Sequence, residues 1–157
     1  MTRVYLETSF VSACVTTRTD ARSGYRRDIS REWWDTQRHL HELLISPEVT
    51  AELSDPAFPQ STDALAWIRE VPVLLINEEI VGLATILVNE RVMPAPVAGD
   101  AIHVATCCVH RVEYLLSWNV RHMVNPRKQV HLQTICFRAG YVPPQILTPD
   151  LLWESSE

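Results

Sequence analysis

Three oxygen-bearing side chains stand where an α/β chain does chemistry. Glu7 ends the apolar run Val4-Tyr5-Leu6, Asp100 opens the apolar-faced stretch Ala101-Ile102-His103-Val104-Ala105, and Asn119 follows Tyr114-Leu115-Leu116-Ser117-Trp118. An acid or amide just past a buried strand, or at the start of the helix packed there, emerges at the carboxyl edge of the sheet, where open α/β folds bind and react. Carboxylate and amide oxygens suit hard divalent cations better than a His/Cys cage does. Such ions bring the charge neutralisation and water activation that phosphodiester hydrolysis needs, alone or as a pair about 3.5–4 Å apart.

The elements that must aim these groups follow from hydrophobic pattern and stop signals. Arg3 to Leu6 reads as a short parallel-type strand followed by a loop carrying Glu7. Tyr25 to Ser46 contains neither Gly nor Pro, and Trp33, Trp34, Leu40, Leu43 and Leu44 recur at near-helical spacing, which predicts the longest helix there. Ser46-Pro47-Glu48 is a helix start: a capping hydroxyl, a first-turn proline and an acid at the positive end of the dipole. Thr62 to Glu70 predicts another helix, Val73 to Ile76 a buried strand, and Glu78 to Arg91 a helix capped by Asn77 with Val81, Ala84, Ile86, Leu87 and Val88 inward. Glu113 to Trp118 predicts a strand, Asn119 to Val124 a short helix, Arg127 to Arg138 a helix ended by Gly140, and Gln145 to Leu147 a last strand. Helices alternating with apolar strands predict a mainly parallel sheet covered on both faces, with no internal repeat or linker, hence one domain over residues 1–157.

Three islands in order carry a family likeness. Val4-Tyr5-Leu6-Glu7-Thr8-Ser9, Ser46-Pro47-Glu48-Val49-Thr50-Ala51-Glu52-Leu53, and Gly99 to Ala105 followed by Leu115-Leu116-Ser117-Trp118-Asn119-Val120-Arg121-His122 resemble the acid-bearing segments of PIN-domain ribonucleases, most nearly VapC-type toxins. The resemblance implies a three-layer α/β/α PIN-like fold and a metal-dependent endoribonuclease. It assigns Glu7, Glu52 and Asp100 as ligands of Mg2+ or Mn2+, with Asn119 where many members carry another acid. It also implies an RNA substrate, a homodimer and a cognate antitoxin protein. Two positions depart from the common pattern: Glu7 stands where Asp is usual, and the neutral Asn119 can orient a water or ligand but adds little to metal affinity. These departures support a second reading, a catalytically weakened PIN-like module that binds RNA or protein without cutting. A phosphatase or nucleotide hydrolase lacks its usual Gly-rich loop here, the chain having only Gly24, Gly82, Gly99 and Gly140.

Each candidate also has a plainer reading. Asp100 can serve simply as a helix N-cap, worth about 1 kcal/mol, and Glu52 as a solvated helix acid. An acid at the end of an apolar strand, as Glu7 is, belongs in a crevice. Ser9 can hold phosphate through its hydroxyl and amide, although strand-end hydroxyls commonly serve turns. Arg121 and His122 are candidate phosphate contacts, whereas a lone helix histidine such as His103 is ordinarily packed or solvent-facing rather than catalytic or a metal ligand.

Composition bounds the rest. A net charge of −5 argues against a broadly basic nucleic-acid surface, but a metal-holding acid cluster lowers the whole-chain charge without describing the site. Of 14 basic residues 13 are Arg, and six of them, Arg18, Arg22, Arg26, Arg27, Arg31 and Arg38, fall early. Arg31 and Arg38 have helix-spaced acids to pair with, leaving Arg18, Arg22, Arg26 and Arg27 as alternative RNA contacts. Cys14, Cys107, Cys108 and Cys136 lack zinc-type spacing and read as buried reduced thiols. No run spans a membrane and no signal-peptide core follows Met1, so a cytoplasmic protein with no membrane partner is expected.

Overall fold

β1 (Thr2–Leu6) lies inside the sheet, and its last three residues, Val4, Tyr5 and Leu6, are fully buried. A strand covered on both faces needs this unbroken apolar run. In the computed structural model, which describes residues 1–155, β1 pairs in parallel with β2 (His41–Leu44) on one side and with β3 (Tyr114–Leu116) on the other. β4 (Gln145–Leu147) adds in parallel to β3, giving the order β2-β1-β3-β4. The chain leaves β1 toward β2, then crosses back to β3 on the opposite side. The carboxyl ends of β1 and β3 therefore form the topological switch point of the sheet, where neighbouring connections diverge and leave a crevice.

The helices are α1 (Thr8–Val15), α2 (Ala21–Gln37), α3 (Pro47–Leu53), α4 (Ser61–Trp67), α5 (Glu78–Asn89), α6 (Asp100–Val109) and α7 (Pro126–Ala139). α1 packs on α2, α3 and α4, while α5 packs on α6 and α7. The result is the expected three-layer α/β/α arrangement. Among the described residues no helix is long and apolar enough to cross a membrane, and all four cysteines are buried and unbridged.

Local chemistry accounts for the boundaries. The Asp20 carboxylate accepts from the Ser23 amide at 3.1 Å to start α2, Ser46 Oγ accepts from the Glu48 amide at 3.2 Å to start α3, and Asn77 Oδ1 accepts from the Ile80 amide at 3.0 Å to start α5. Gly140 ends α7 at φ 92°, a left-handed cap that avoids the Cβ penalty. Trp33 is fully buried, meets Phe10 edge-on at 5.6 Å between ring centroids, and donates its Nε1–H to the Leu152 carbonyl at 2.6 Å.

Several expected elements differ. Residues 25–46 are not one helix: α2 ends at Gln37, a 3-10 turn covers Arg38–Leu40, and β2 follows. The apolar spacing there is readable either way, and backbone pairing with β1 decides for the strand, a tertiary effect that outweighs local propensity. The expected loop after Glu7 is α1, whose burial of Phe10, Val11 and Cys14 offsets a weakly helical sequence. Val73 to Ile76 is not a buried strand. Only Val73 forms an isolated bridge, to Ile45, and Leu75 is 74% exposed. α5 turns Ile80, Leu83, Ala84 and Leu87 inward and leaves Val81 and Ile86 exposed. Residues 119–124 are a succession of turns rather than a helix.

These placements separate two leucines of equal size. Leu115→Ala, in the fully buried β3, is expected to cost about 2–5 kcal/mol, while Leu75→Ala should change stability by less than about 0.5 kcal/mol. Urea midpoints measure both; a similar large loss for Leu75→Ala would contradict the assigned strand order.

Candidate active site

At the switch point the Glu7 amide donates to the Leu116 carbonyl at 3.1 Å, locking the end of β1 to β3. Glu7 then turns its side chain back as the N-cap of α1. Its Oε2 accepts from the Ser9 amide at 2.7 Å, from the Ser9 hydroxyl, and from Ser117 Oγ at 3.2 Å. Ser9 Oγ in turn accepts from the Trp118 amide at 2.8 Å, and Ser117 Oγ from the Asn119 amide at 2.9 Å. Two serines thus fasten the first acid to the strand end that presents Asn119. Ser9 sits within the site, but here its hydroxyl holds Glu7 and the β3 turn.

Asp100 is the first residue of α6 and not its cap. Gly99 occupies the cap position at φ 53°, ψ −123°, a conformation essentially closed to residues with a Cβ, and Glu48 Oε1 accepts from its amide at 3.2 Å. The capping alternative for Asp100 is therefore not realised. Its Oδ2 instead accepts from Asn119 Nδ2 at 3.3 Å, while Asn119 Oδ1 accepts from the His122 amide at the same distance. Asn119 spans the cleft from β3 to α6. Its neutral amide can donate to Asp100, as a carboxylate in its place could not.

Glu52 reaches the site from α3. Its Oε1 accepts from Thr8 Oγ1 at 2.7 Å and faces His103 Nε2 in a short hydrogen bond. His103 is fully buried, and its Nδ1 lies 2.6 Å from Tyr5 Oη, itself 2.7 Å from Ser46 Oγ. With His103 neutral, Ser46 donates to Tyr5, Tyr5 to His103 Nδ1, and His103 Nε2–H to the Glu52 carboxylate; with His103 protonated, its Nδ1–H donates to Tyr5 Oη and the Nε2–H bond to Glu52 is kept. The line joins β1, the start of α3 and α6 through their side chains. His103, set aside in the sequence as a packed or solvent-facing helix histidine, is the joint of the site. Its position one turn after Asp100 was the available signal, while its partners Tyr5, Thr8 and Ser46 have no spacing that reveals them.

The electrostatics follow from this crowding. Burial pushes the Glu7 carboxyl up, as does the nearby Asp100 charge, against the pull of His103 and Ser9. Burial likewise raises Asp100, and Glu52 adds to the shift. At Glu52 burial also acts upward, but the hydrogen bonds from His103 and Thr8 and the His103 charge outweigh it, and its carboxyl sits low. Burial pulls His103 down, yet the Glu52 hydrogen bond and the charges of Glu7, Glu52 and Asp100 leave it raised. Glu7, Glu52 and Asp100 each use one oxygen on protein donors and leave the other without a hydrogen-bond partner among the described residues.

A divalent ion can be set against this donor set. Among the described residues no group of three or more His, Cys, Asp or Glu side chains stands close enough to enclose an ion directly. The free oxygens of Glu7, Asp100 and Glu52 are hard donors, however, and the mutual repulsion of the acids is what a cation relieves. Mg2+ keeps several waters and is held by one or two carboxylates. The residues therefore fit a hydrated Mg2+ or Mn2+ ion rather than a stripped one.

Glu7 opens into a groove of about 690 Å³ that Trp118, Asn119, Arg121 and His122 also line. Glu52 lines a smaller adjoining depression of about 270 Å³ with Thr8, and both share Ser12, Ala57 and Phe58. Asp100 lines neither and is tied in through Asn119. Arg121 and His122 are exposed on the rim.

The Glu52–His103 pair gives a pH signature. The raised His103 stabilises fully below its unfolded pKa of about 6.5, and that share is lost as pH rises through the folded value. The lowered Glu52 stabilises above about 4.3, and its share is lost as pH falls through the folded value. The gap in urea midpoint between the native chain and His103→Gln should therefore be larger near pH 5.5 than near pH 8.5; a gap independent of pH would contradict the assigned bond.

No protein-family model and no curated protein sequence matches this chain. Solved structures do. VapC20 of Mycobacterium tuberculosis, a Sarcin-Ricin loop cleaving toxin, is similar with TM-score 0.57 at 18% identity, over 88% of this chain and 96% of that one. VapBC2 from Rickettsia felis, bound to a DNA fragment from its promoter, gives TM-score 0.54 at 14% identity over 76% and 89%. FitAcB from Neisseria gonorrhoeae gives 0.55 at 13% over 95% and 99%. At these identities the likeness speaks for architecture, and the four-stranded parallel sheet with its switch-point acids has the PIN/VapC-type fold.

Proposed function

We propose that this protein is a divalent-metal-dependent endoribonuclease, the toxin of a type II toxin-antitoxin pair. The observation that carries the reading is the meeting of Glu7, Glu52 and Asp100 around His103 at the switch point, each acid with one oxygen left free. Stability alone does not favour such a set, since burying like charges together costs free energy. When bound, Mg2+ or Mn2+ supplies charge neutralisation and Lewis acidity.

The chain's own groups do the positioning. Ser9 and Ser117 hold the Glu7 carboxylate at one angle, Asn119 fixes Asp100, and the Tyr5–His103 line and Thr8 fix Glu52. Arg121 and His122 line the groove at its exposed rim, which supports a role for them in holding the entering phosphate. Glu7, with its longer arm, remains a full carboxylate donor. Asn119 lowers the negative charge of the site and substitutes a positioning hydrogen bond for a fourth ligand. The neighbouring folds include assemblies named VapBC2 and FitAcB, which supports a protein antitoxin as a partner of this chain; the homodimer rests on the sequence resemblance alone.

The weakened-module reading rests on Asn119 and on the absence of an enclosed three-ligand cluster among the described residues. Cleavage separates the two. Purified protein given a mixed pool of structured and single-stranded RNA should cut with Mg2+ or Mn2+ and not with EDTA. Asp100→Asn and Glu52→Gln should each reduce the rate by roughly 10²–10³-fold, the loss typical of one preorganised electrostatic group. Folded, inhibitor-free protein that binds RNA but does not cut it in either metal would establish the binding module instead.

A further inference from the structure

The six early arginines divide by what they touch. Arg27 pairs with Asp28 at 3.2 Å, Arg31 donates to the Cys14 carbonyl at 2.7 Å, and Arg38 pairs with Asp35 at 3.8 Å while lying over Trp34. Arg18, Arg22 and Arg26 make no ion pair among the described residues, and all three line the Glu7 groove. Arg121 lines the same groove, in which Glu7 is the single acid among the described residues. A chain of net charge −5 therefore carries a locally cationic trough at its acid site.

Arg22 and Arg26 sit one turn apart on α2, about 6 Å along its axis, a spacing of the order of successive phosphates in an extended strand. The Arg26 guanidinium rests 5.3 Å from the Trp118 ring centroid, and Trp118 donates its Nε1–H to Ser30 at 2.8 Å, so the α2 wall is keyed to the end of β3. Trp118 is 6% exposed and its ring is covered, which removes it as a base-stacking platform. The trough thus offers charge to a backbone rather than a surface to bases.

We propose that Arg18, Arg22 and Arg26 form a phosphate-gripping wall that binds the backbone of a single-stranded RNA segment flanking the phosphate held at Glu7. The inference rests on the ribonuclease reading and names its substrate form. The trough, about 690 Å³, is the size of a small-ligand cleft, which suits one strand lowered toward a buried acid and is too small to enclose a duplex. Arg27, on the same helix, serves as the internal control because Asp28 already engages it.

The test is salt-dependent binding of a short labelled single-stranded RNA of mixed sequence to the full-length Asp100→Asn protein. Adding Arg22→Gln and Arg26→Gln together should flatten the slope of log affinity against log salt by roughly 1.4, and Arg22→Gln alone by roughly 0.7, as counterion release on single strands requires. Affinity at low salt should fall at least about 10-fold for the pair, while Arg27→Gln leaves slope and affinity unchanged. A folded double variant with the parent slope overturns the wall, and if the native protein still cuts RNA the ribonuclease reading survives that failure. A matched duplex bound as tightly as the single strand overturns the substrate form. A parent that binds no RNA, together with a native protein that cuts none, removes both readings.

Discussion

The bond between the Glu7 amide and the Leu116 carbonyl, with the Glu7 carboxylate turned back onto Ser9 and Ser117, is the constraint on which the site depends. It forces an acid into a buried crevice between two parallel strands. The acid cannot relax outward, because its backbone ends one strand and its side chain caps the following helix. The cost is visible in the raised Glu7 carboxyl. Such a cost persists where the surrounding fold over-determines the arrangement, as functional sites commonly require.

Around that point the other acids are held by different means. Asp100 is aimed by the left-handed turn at Gly99 and steadied by Asn119, and Glu52 is steadied by Thr8 and the buried His103. Each carboxylate is oriented by one oxygen and available by the other. This division lets a site be rigid without consuming the lone pairs a ligand needs. It also resolves the charge conflict of the whole chain: the negative balance belongs to the surface at large, while the charged side chains that line the trough at Glu7 are mainly arginines.

What the sequence made legible was what local chemistry decides. The strand end at Leu6, the caps at Ser46 and Asn77 and the left-handed stop at Gly140 were readable because each depends on residues within a turn of one another, whereas the strand expected to run to Trp118 ends at Leu116. The strand β2 was hidden inside a helix-like pattern because its assignment is made by pairing with β1 across about forty residues of chain. Val73 to Ile76 misled for the converse reason, being apolar enough for a strand yet only bridging Ile45 at Val73. In the site, Glu7 and Asp100 could be named from their positions in the elements, and Glu52 only from the family likeness. The Tyr5–His103–Glu52 line could not, since it joins three segments that meet only in the fold.

The most direct measurement is the melting temperature of the native chain and of Glu7→Gln, each titrated with MgCl2 and with MnCl2. A ligand of the folded state stabilises by RT ln(1 + [L]/Kd). If the buried carboxylate is kept at an energetic cost in order to hold a divalent ion, metal-free Glu7→Gln should melt at or above the native temperature, and the metal-induced rise should be present in the native chain and lost in the variant. Equal metal stabilisation of both proteins, or a Glu7→Gln chain that fails to fold without metal, would contradict the account.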